Sequence, residues 1–365
     1  MIHTQETLKN EVVPGYAFDC YFGGRKVGIL DIETTGLSPE RSRVILGGLI
    51  TIEPGVANEA DAANAPDTIL AEEFFCEYNN DRDGKELLEA YMAAIRNVDV
   101  VVTYNGEHFD IPFLRARCKK LGVEFEEGLP YNLDLYRVLK KYSEIKKALP
   151  NMKQKTVESY FGLWKTRTDM ISGKDSVDLY YAFLAHKPGE GKEAVKSTII
   201  LHNSDDCAQL HRLLPIMAKA DIHRAAAGLG FPAGKRLAVS EISVAKSTLR
   251  IAGSQRREPI DYKAFAGPTE PLGVEFDKRS RKFTVEVPLI QAGGDGAKGA
   301  AEPEVPCLQL ADAVALGVDI SAIEVLPGIE KGYIIVTKGG EMNYSAINAF
   351  ARLLLEKLEG RLWSK

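Results

Sequence analysis

Residues 27–37 read VGILDIETTGL. An apolar run carries two acids two residues apart and ends in Thr and Gly, the pattern of a buried strand opening into a turn. Side chains two apart on a strand share a face, so Asp31 and Glu33 project together from an otherwise apolar surface. Two like charges placed that way repel and lose solvation, which implies a cationic partner. A plainer reading competes with this one, because Asp, Glu, Thr and Gly are all common where a strand ends.

Outward from this strand the first half of the chain is ordered. Strand-like runs at residues 26–32, 43–52 and 72–78 are bounded by Gly, Pro and Asp/Asn. Between the second and third, PGVANEADAANAPD reads as a polar hairpin extension. Helical periodicity at 85–95 and 111–121 brackets an apolar β-branched run at 98–104, which suits a strand buried on both faces. A short strand at 131–135 precedes a mainly helical pattern that runs to about residue 219. Three strands, then βαβ, then helices describe an α/β fold with a mixed sheet flanked by helices. From residue 236 the chain alternates as strands do (ISVAKSTLRIAG, LGVEFDKRSRKFTVEVPLI) and closes with GYIIVTKGG and the helical YSAINAFARLLLEKLE. QAGGDGAKGAAEPEV reads as a mobile loop, and DKRSRK as a charged hairpin turn. We expect domains at 1–220 and 221–365, the second a smaller α+β module.

A length of 365 residues fits two domains, and 45% hydrophobic with 27% charged residues fits an ordinary globular protein. The net charge of −5 argues against a uniformly basic nucleic-acid coat. Five cysteines (20, 76, 118, 207 and 307) stand far apart with no C-x-x-C pair. They form neither a zinc ribbon nor a disulfide framework, which suits a reducing compartment. No basic-plus-apolar leader and no membrane-spanning run is visible, so the expectation is a soluble cytoplasmic protein without a membrane partner.

Two more segments carry acids in chemical settings. In VVTYNGEHFDIPFL, Asp110 stands before a helix with Pro112 in its first turn, as an N-cap does. Capping uses one carboxylate oxygen and leaves the other for a metal. Asn105-Gly106 makes a tight turn that puts Asn105 within reach of a substrate, and His108 is a further ionisable group beside Asp110. In IILHNSDDCAQLHRLL, Asp206 shares a helix face with Ile199, Asn203, Leu210 and Leu213 and points inward. Asp205 runs with Thr198, Leu201, Gln209 and Arg212 on a more solvent-facing row. His202 lies one turn before Asp206 on its side; taken alone the pair reads as a satisfied core hydrogen bond, and beside three other converging acids as part of a site.

The ordered set D-x-E-T-T-G (31–36), T-Y-N-G-x-x-F-D-x-P (103–112) and H-N-x-x-D (202–206) resembles the DEDD exonuclease superfamily, whose fold is ribonuclease H-like. More closely it is similar to the YprB-like predicted exonucleases, with LPNMKQKTVESYFGL and RTDMISGKDSVDLYYAFL also family-like. The resemblance covers roughly residues 15–220. It implies a 3′–5′ exonuclease in which Asp31, Glu33, Asp110 and Asp206 hold two divalent ions. Asp31 would serve both, Glu33 and Asp206 one, and Asp110 the other. Oxygen ligands suit Mg²⁺ or Mn²⁺, and paired ions of that kind cleave phosphodiesters. His202 would be the general base. One branch of the superfamily places histidine five residues before the last Asp and the other places tyrosine four before; this chain has histidine at the tyrosine spacing.

Between residues 136 and 167 nine Lys/Arg face two acids, a local net of +7 that leaves −12 for the rest of the chain. Tyr131, Tyr136, Tyr142, Tyr160, Phe161 and Trp164 are interleaved with that stretch. Positive charge with aromatic stacking is how single strands are commonly held, although Lys-rich helix faces over a packed core look the same in sequence. The candidate substrate contacts for single-stranded DNA or RNA are Thr34, Thr35, Gly36, Asn105, Asn203, Lys153 and Lys155. The rival readings are an inactive nucleic-acid-binding scaffold on the same fold and a ribonuclease H-fold endonuclease.

Overall fold

The computed structural model describes residues 1–54, 68–128, 130–169, 171–245, 247–267, 271–292, 305–330 and 332–364. The expected hairpin extension after residue 54 and the Gly/Ala-rich loop after residue 292 lie outside the described residues. The chain divides into two compact units, Met1–Ala220 and Asp221–Lys365.

The first unit is built on six strands: β1 (Ile2–Lys9), β2 (Val27–Thr34), β3 (Val44–Ile52), β4 (Thr68–Phe75), β5 (Val100–Thr103) and β6 (Tyr131–Asp134), in the order β1-β4-β3-β2-β5-β6. β1, β4, β3 and β2 pair antiparallel, while β2, β5 and β6 run parallel. The helices are α1 (Tyr16–Phe22), α2 (Asp81–Arg96), α3 (Asp110–Leu121), α4 (Leu135–Tyr142), α5 (Ile145–Ala148), α6 (Gln154–Tyr160), α7 (Gly173–Ala185) and α8 (Glu190–Arg212). This is the mixed, helix-flanked sheet expected from the order of the sequence runs. β1 escapes a reading from pattern because six of its eight residues are exposed, so no face alternates.

Each face of the sheet has its own core. Leu30, Ile32, Leu49 and Phe74 pack with Leu87, Leu88 and Tyr91 of α2 and with Phe113 and Leu114 of α3. On the other face Ile45, Leu46 and Phe75 meet Tyr180 and Phe183 of α7 and Ile199 of α8. Strand alternation therefore sends Leu30 and Ile32 toward α2 while Asp31 and Glu33 look toward α7 and α8. Asp31 and Ile32 sit opposite Gly48 and Gly47 of β3. A Cβ on Gly47 would lie 2.7 Å from the ring of Tyr91, and one on Gly48 would run into the side-chain oxygen of Asn203. The two missing side chains let α2 and α8 close on the same point of the sheet from opposite sides. Tyr91 Oη uses the space to donate to the Gly48 carbonyl at 2.8 Å.

In the second unit, six strands from Phe231 to Pro288 form an antiparallel sheet beside a separate four-stranded one. The segment DKRSRK is the turn of its hairpin, with Asp277 opposite Lys282. Apolar residues of the closing helix Tyr344–Leu362, among them Phe350, Leu354 and Leu355, are buried.

The glycine pair generates a prediction. Gly47→Ala and Gly48→Ala should each lower stability by about 1–3 kcal/mol, the usual cost of overpacking, as read in thermal or denaturant melts. Only Gly48→Ala should also weaken divalent-ion binding, because it displaces Asn203, whose amide donates to the Asp31 carboxylate, whereas Tyr91 beside Gly47 reaches only the Asp31 backbone carbonyl. Equal ion binding by both variants would contradict this.

Candidate metal centre

Four acids reach one end of the sheet from three elements. β2 carries Asp31 and Glu33, and its pairing with β3 slips between Glu33 and Thr34, so that Leu46 pairs with Glu33 and Val44 with Thr34. A bulge at that point re-aims the end of the strand. The following turn is closed by its own side chains: Thr34 Oγ1 donates to the Gly36 carbonyl at 2.9 Å, and Thr35 Oγ1 accepts from the Arg43 amide at 2.9 Å. After β5 the chain turns at Asn105, which adopts the left-handed φ of 67°. Asp134 holds that turn by accepting from the amides of Asn105 at 2.9 Å and Glu107 at 3.2 Å. α3 then begins at Asp110, and α8 supplies His202, Asn203 and Asp206.

Within the site Asn203 Nδ2 donates to Asp31 Oδ2 at 2.7 Å. His202, 2% exposed, has Nδ1 2.6 Å from Asp169 Oδ2. Its Nε2 stands 3.4 Å from Glu33 Oε1 and 3.7 Å from Asp206 Oδ2. Arg167 braces the group: its guanidinium lies 2.6 Å from Asp206 Oδ1, 2.5 Å from Asp169 Oδ1 and 2.8 Å from Glu158 Oε1. Lys155 Nζ adds contacts to Asp169 Oδ2 at 3.2 Å and to the Ile171 carbonyl at 2.7 Å.

The electrostatics divide the site in two. Burial opposes the charge on Asp169, but hydrogen bonds from Arg167 and His202 and the charges of Arg167 and Lys155 hold its pKa below the ordinary carboxylate value. Asp169 is therefore an acceptor, and the histidine presents Nδ1–H to it. Asp31, Glu33 and Asp110 are pushed the opposite way. Burial, then repulsion from Asp110, Asp206 and Glu33, raises Asp31 well above its usual value. Burial and repulsion from Asp206 carry Glu33 to about 8, and burial carries Asp110 to about 7. Asp110 Oδ1 is buried with no hydrogen-bond partner. Buried, mutually repelling carboxylates with an orphaned oxygen fit a hard divalent cation, and Glu33, His202 and Asp206 offer donor atoms that all lie within 4.8 Å of one another.

Asp31, Glu33, Asp110, Asn203, His202 and Asp206 thus come together. Asn203 bonds an acid of the cluster directly. Thr34 and Thr35 are engaged in the turn with Gly36, and Lys155 is joined to the cluster through Asp169. Lys153 is exposed beside Gln154, whose side chain donates to the Asp206 carbonyl at 3.0 Å. His108 is exposed. Two expectations need correction. Asp110 is the first residue of α3 rather than its cap: Phe109 occupies the cap position without a side-chain bond, and the Gly106 carbonyl accepts from the Ile111 amide. Asp205 does not face solvent: it is buried, and one of its oxygens accepts from the amides of Thr168 and Asp169 and from Thr168 Oγ1. The segment 166–169 covers that row of α8, a tertiary contact that helix periodicity alone does not reveal.

Reading by motif also missed Asp169, the bracing role of Arg167, and Glu73. Glu73 is pushed up to about 8 by burial, against the pull of a hydrogen bond from Ser204. The signal for the first two was present in RTD at 167–169, an arginine and an aspartate set two apart within a family-like stretch. Gly47-Gly48 inside an apolar strand was a further signal of close approach.

A profile of the RNase_H superfamily matches residues 29–218. Short stretches are similar to DNA polymerases: 39% identity over 46 residues with that of Thermococcus sp. strain 9oN-7, and 38% over 47 residues with that of Methanocaldococcus jannaschii. These stretches cover 12% and 13% of this chain and only 6% and 3% of those proteins. Among solved structures, the family B DNA polymerase of Pyrobaculum calidifontis aligns over 92% of this chain and 46% of its own, with 16% identity and a TM-score of 0.38. Exonuclease I of E. coli in complex with a dT13 oligonucleotide aligns over 37% of this chain and 35% of its own, with 15% identity and a TM-score of 0.26.

The raised pKa values set a pH dependence. A carboxyl whose folded pKa exceeds its unfolded one keeps its proton longer in the native state, so its contribution to stability is complete below about pH 4 and is lost as pH rises toward 7–8. In EDTA the melting temperature should fall from pH 5 to pH 8, and Mg²⁺ or Mn²⁺ should restore it at pH 8. Asp31→Asn, which removes one of the repelling charges, should shrink both effects. A melting temperature indifferent to pH and to divalent ions would contradict the site.

Proposed function

The chain belongs to the RNase_H superfamily, and from that premise we propose that its first unit is a metal-dependent 3′–5′ exonuclease of the DEDD type, of the YprB-like kind, acting on single-stranded DNA or RNA. The observation that carries this reading is the convergence of Asp31, Glu33, Asp110 and Asp206, where burial and then the neighbouring carboxylates raise the pKa of Asp31 and of Glu33. An isolated structural carboxylate would not be gathered with three others.

These four acids would hold two divalent ions, Mg²⁺ or Mn²⁺, which when bound supply Lewis-acid activation of water and of the scissile phosphodiester. The rest of the work falls to the chain itself. Asn203 orients Asp31 through its amide, and Arg167 fixes one oxygen of Asp206 so that the other turns to His202. Asp169 sets the His202 tautomer and keeps Nε2 facing Glu33 and Asp206. His202 works inside the acidic set, through that nitrogen.

Grip on a single strand is supported by what surrounds Arg167. Trp164, 59% exposed, lies three residues away in a 3₁₀ turn (Leu163–Thr166), with Lys165 Nζ 5.6 Å from its ring centre. Tyr160, 53% exposed, precedes that turn. Exposed rings beside lysines suit base stacking along a backbone-tracking surface. Lys153 and Lys155 would neutralise phosphates on the same side. The polarity of digestion comes from the DEDD resemblance, and residues 221–365 would be an accessory domain.

The test uses 3′- and 5′-labelled single-stranded DNA and RNA and a circular strand, with Mg²⁺ or Mn²⁺. We expect stepwise shortening from the 3′ end, blocked by EDTA, reduced to background in Asp31→Ala and lowered roughly 10- to 100-fold in Asn203→Ala, as for loss of a residue that orients a ligand. Cutting of the circle would assign an endonuclease. Tight binding without cleavage would assign a scaffold.

A further inference from the structure

His202 is poorly placed to exchange protons with solvent and well placed to ligate. Its ring is buried, and Nδ1 is tied to Asp169, itself held by Arg167 and Lys155. A histidine whose far nitrogen donates to a carboxylate is the usual arrangement of an imidazole ligand, fixed in tautomer and made more basic. The near nitrogen faces two carboxylate oxygens, Glu33 Oε1 at 3.4 Å and Asp206 Oδ2 at 3.7 Å. Two donors each about 2.1 Å from a common ion, at angles between octahedral and tetrahedral, stand roughly 3.0–3.4 Å apart. The first distance already matches, and the second needs a closure of a few tenths of an ångström. Asp206 also has a reason to be monodentate, because Arg167 occupies its other oxygen.

The geometry points to His202 as a direct ligand, through Nε2, of the ion shared by Glu33 and Asp206, and to a site that takes first-row transition ions in preference to Mg²⁺ at that position, with Mn²⁺ as its paramagnetic probe. The inference rests on the metal-dependent reading above and changes its chemistry: the site becomes mixed nitrogen–oxygen, and the histidine no longer serves as the general base. Mg²⁺ is held by oxygen donors and gives up water reluctantly, whereas imidazole suits transition ions, Fe, Ni, Cu and Zn most and Mn²⁺ least among them. The spacing of four residues between His202 and Asp206 acquires a reason, since i and i+4 side chains on one helix face lie side by side. Asp169 and Arg167 become positioning residues for the two ligands.

Pulsed electron paramagnetic resonance of the full chain loaded with Mn²⁺ reads the bond directly. We expect the nitrogen coupling of a bound imidazole in the wild type and in His108→Asn, and its loss in His202→Asn. In calorimetry, Asp169→Asn should weaken Mn²⁺ binding about 10- to 100-fold while changing Mg²⁺ binding less. Asp31-dependent Mn²⁺ binding with no nitrogen coupling in the wild type would overturn the inference and leave the metal-dependent nuclease standing. Absence of any Asp31-dependent binding of Mn²⁺ or Mg²⁺ would instead remove the reading beneath it.

Discussion

Like charge forced together in a low-dielectric place is the constraint on which this structure turns. Asp31, Glu33, Asp110 and Asp206 repel, and the surrounding fold is arranged to bring them together nonetheless. β2 lies inside the sheet, where Glu33 is buried and Asp31 is only partly open to water. The bulge after Glu33 bends the strand end, the left-handed turn at Asn105 sets the start of α3, and the bare face of Gly48 admits α8. Each device positions a carboxylate at a cost in stability that apolar packing on both faces of the sheet offsets.

Around this repelling centre stands a neutralising bracket. Arg167 touches Glu158, Asp169 and Asp206, and Lys155 touches Asp169. The bracket compensates Glu158, Asp169 and one oxygen of Asp206, and leaves Asp31, Glu33 and Asp110 with no Arg or Lys ion pair among the described residues. Its consequence appears in the pKa values: Asp169 goes down while Glu33 goes up, although His202 contacts both. That contrast separates acids that already have a counter-charge from acids that need one, a distinction that mere proximity of carboxylates would not provide.

Much of this was legible in the chain. Asp31 and Glu33 announced themselves because period-two alternation places both on one face, and Asp206 because a helix face is fixed by its own spacing. The mixed sheet followed from the order of apolar runs. What stayed hidden depends on contacts distant in sequence. Helix periodicity alone turns Asp205 to water, whereas the segment 166–169 covers it, and Asp110 reads as a cap because pattern cannot tell a cap from a first helical residue. Asp169 acquires a role only when His202, thirty-three residues on, is brought to it. The edge strand β1 shows the limit from the other side, since exposed residues leave no alternation to read.

If the inner acids are gathered to hold cations, ion binding must drive off the protons that burial and repulsion have added. Calorimetric titration of Mg²⁺ or Mn²⁺ at pH 7, repeated in buffers of different ionisation enthalpy, counts those protons. With Glu33 raised to about 8 and Asp110 to about 7, binding should release protons, roughly one or more for each protein saturated and fewer as pH approaches about 9. Binding that releases no protons at pH 7 would mean that these acids are already ionised, or are not where the ions sit, and that the buried carboxylates are not gathered to hold cations.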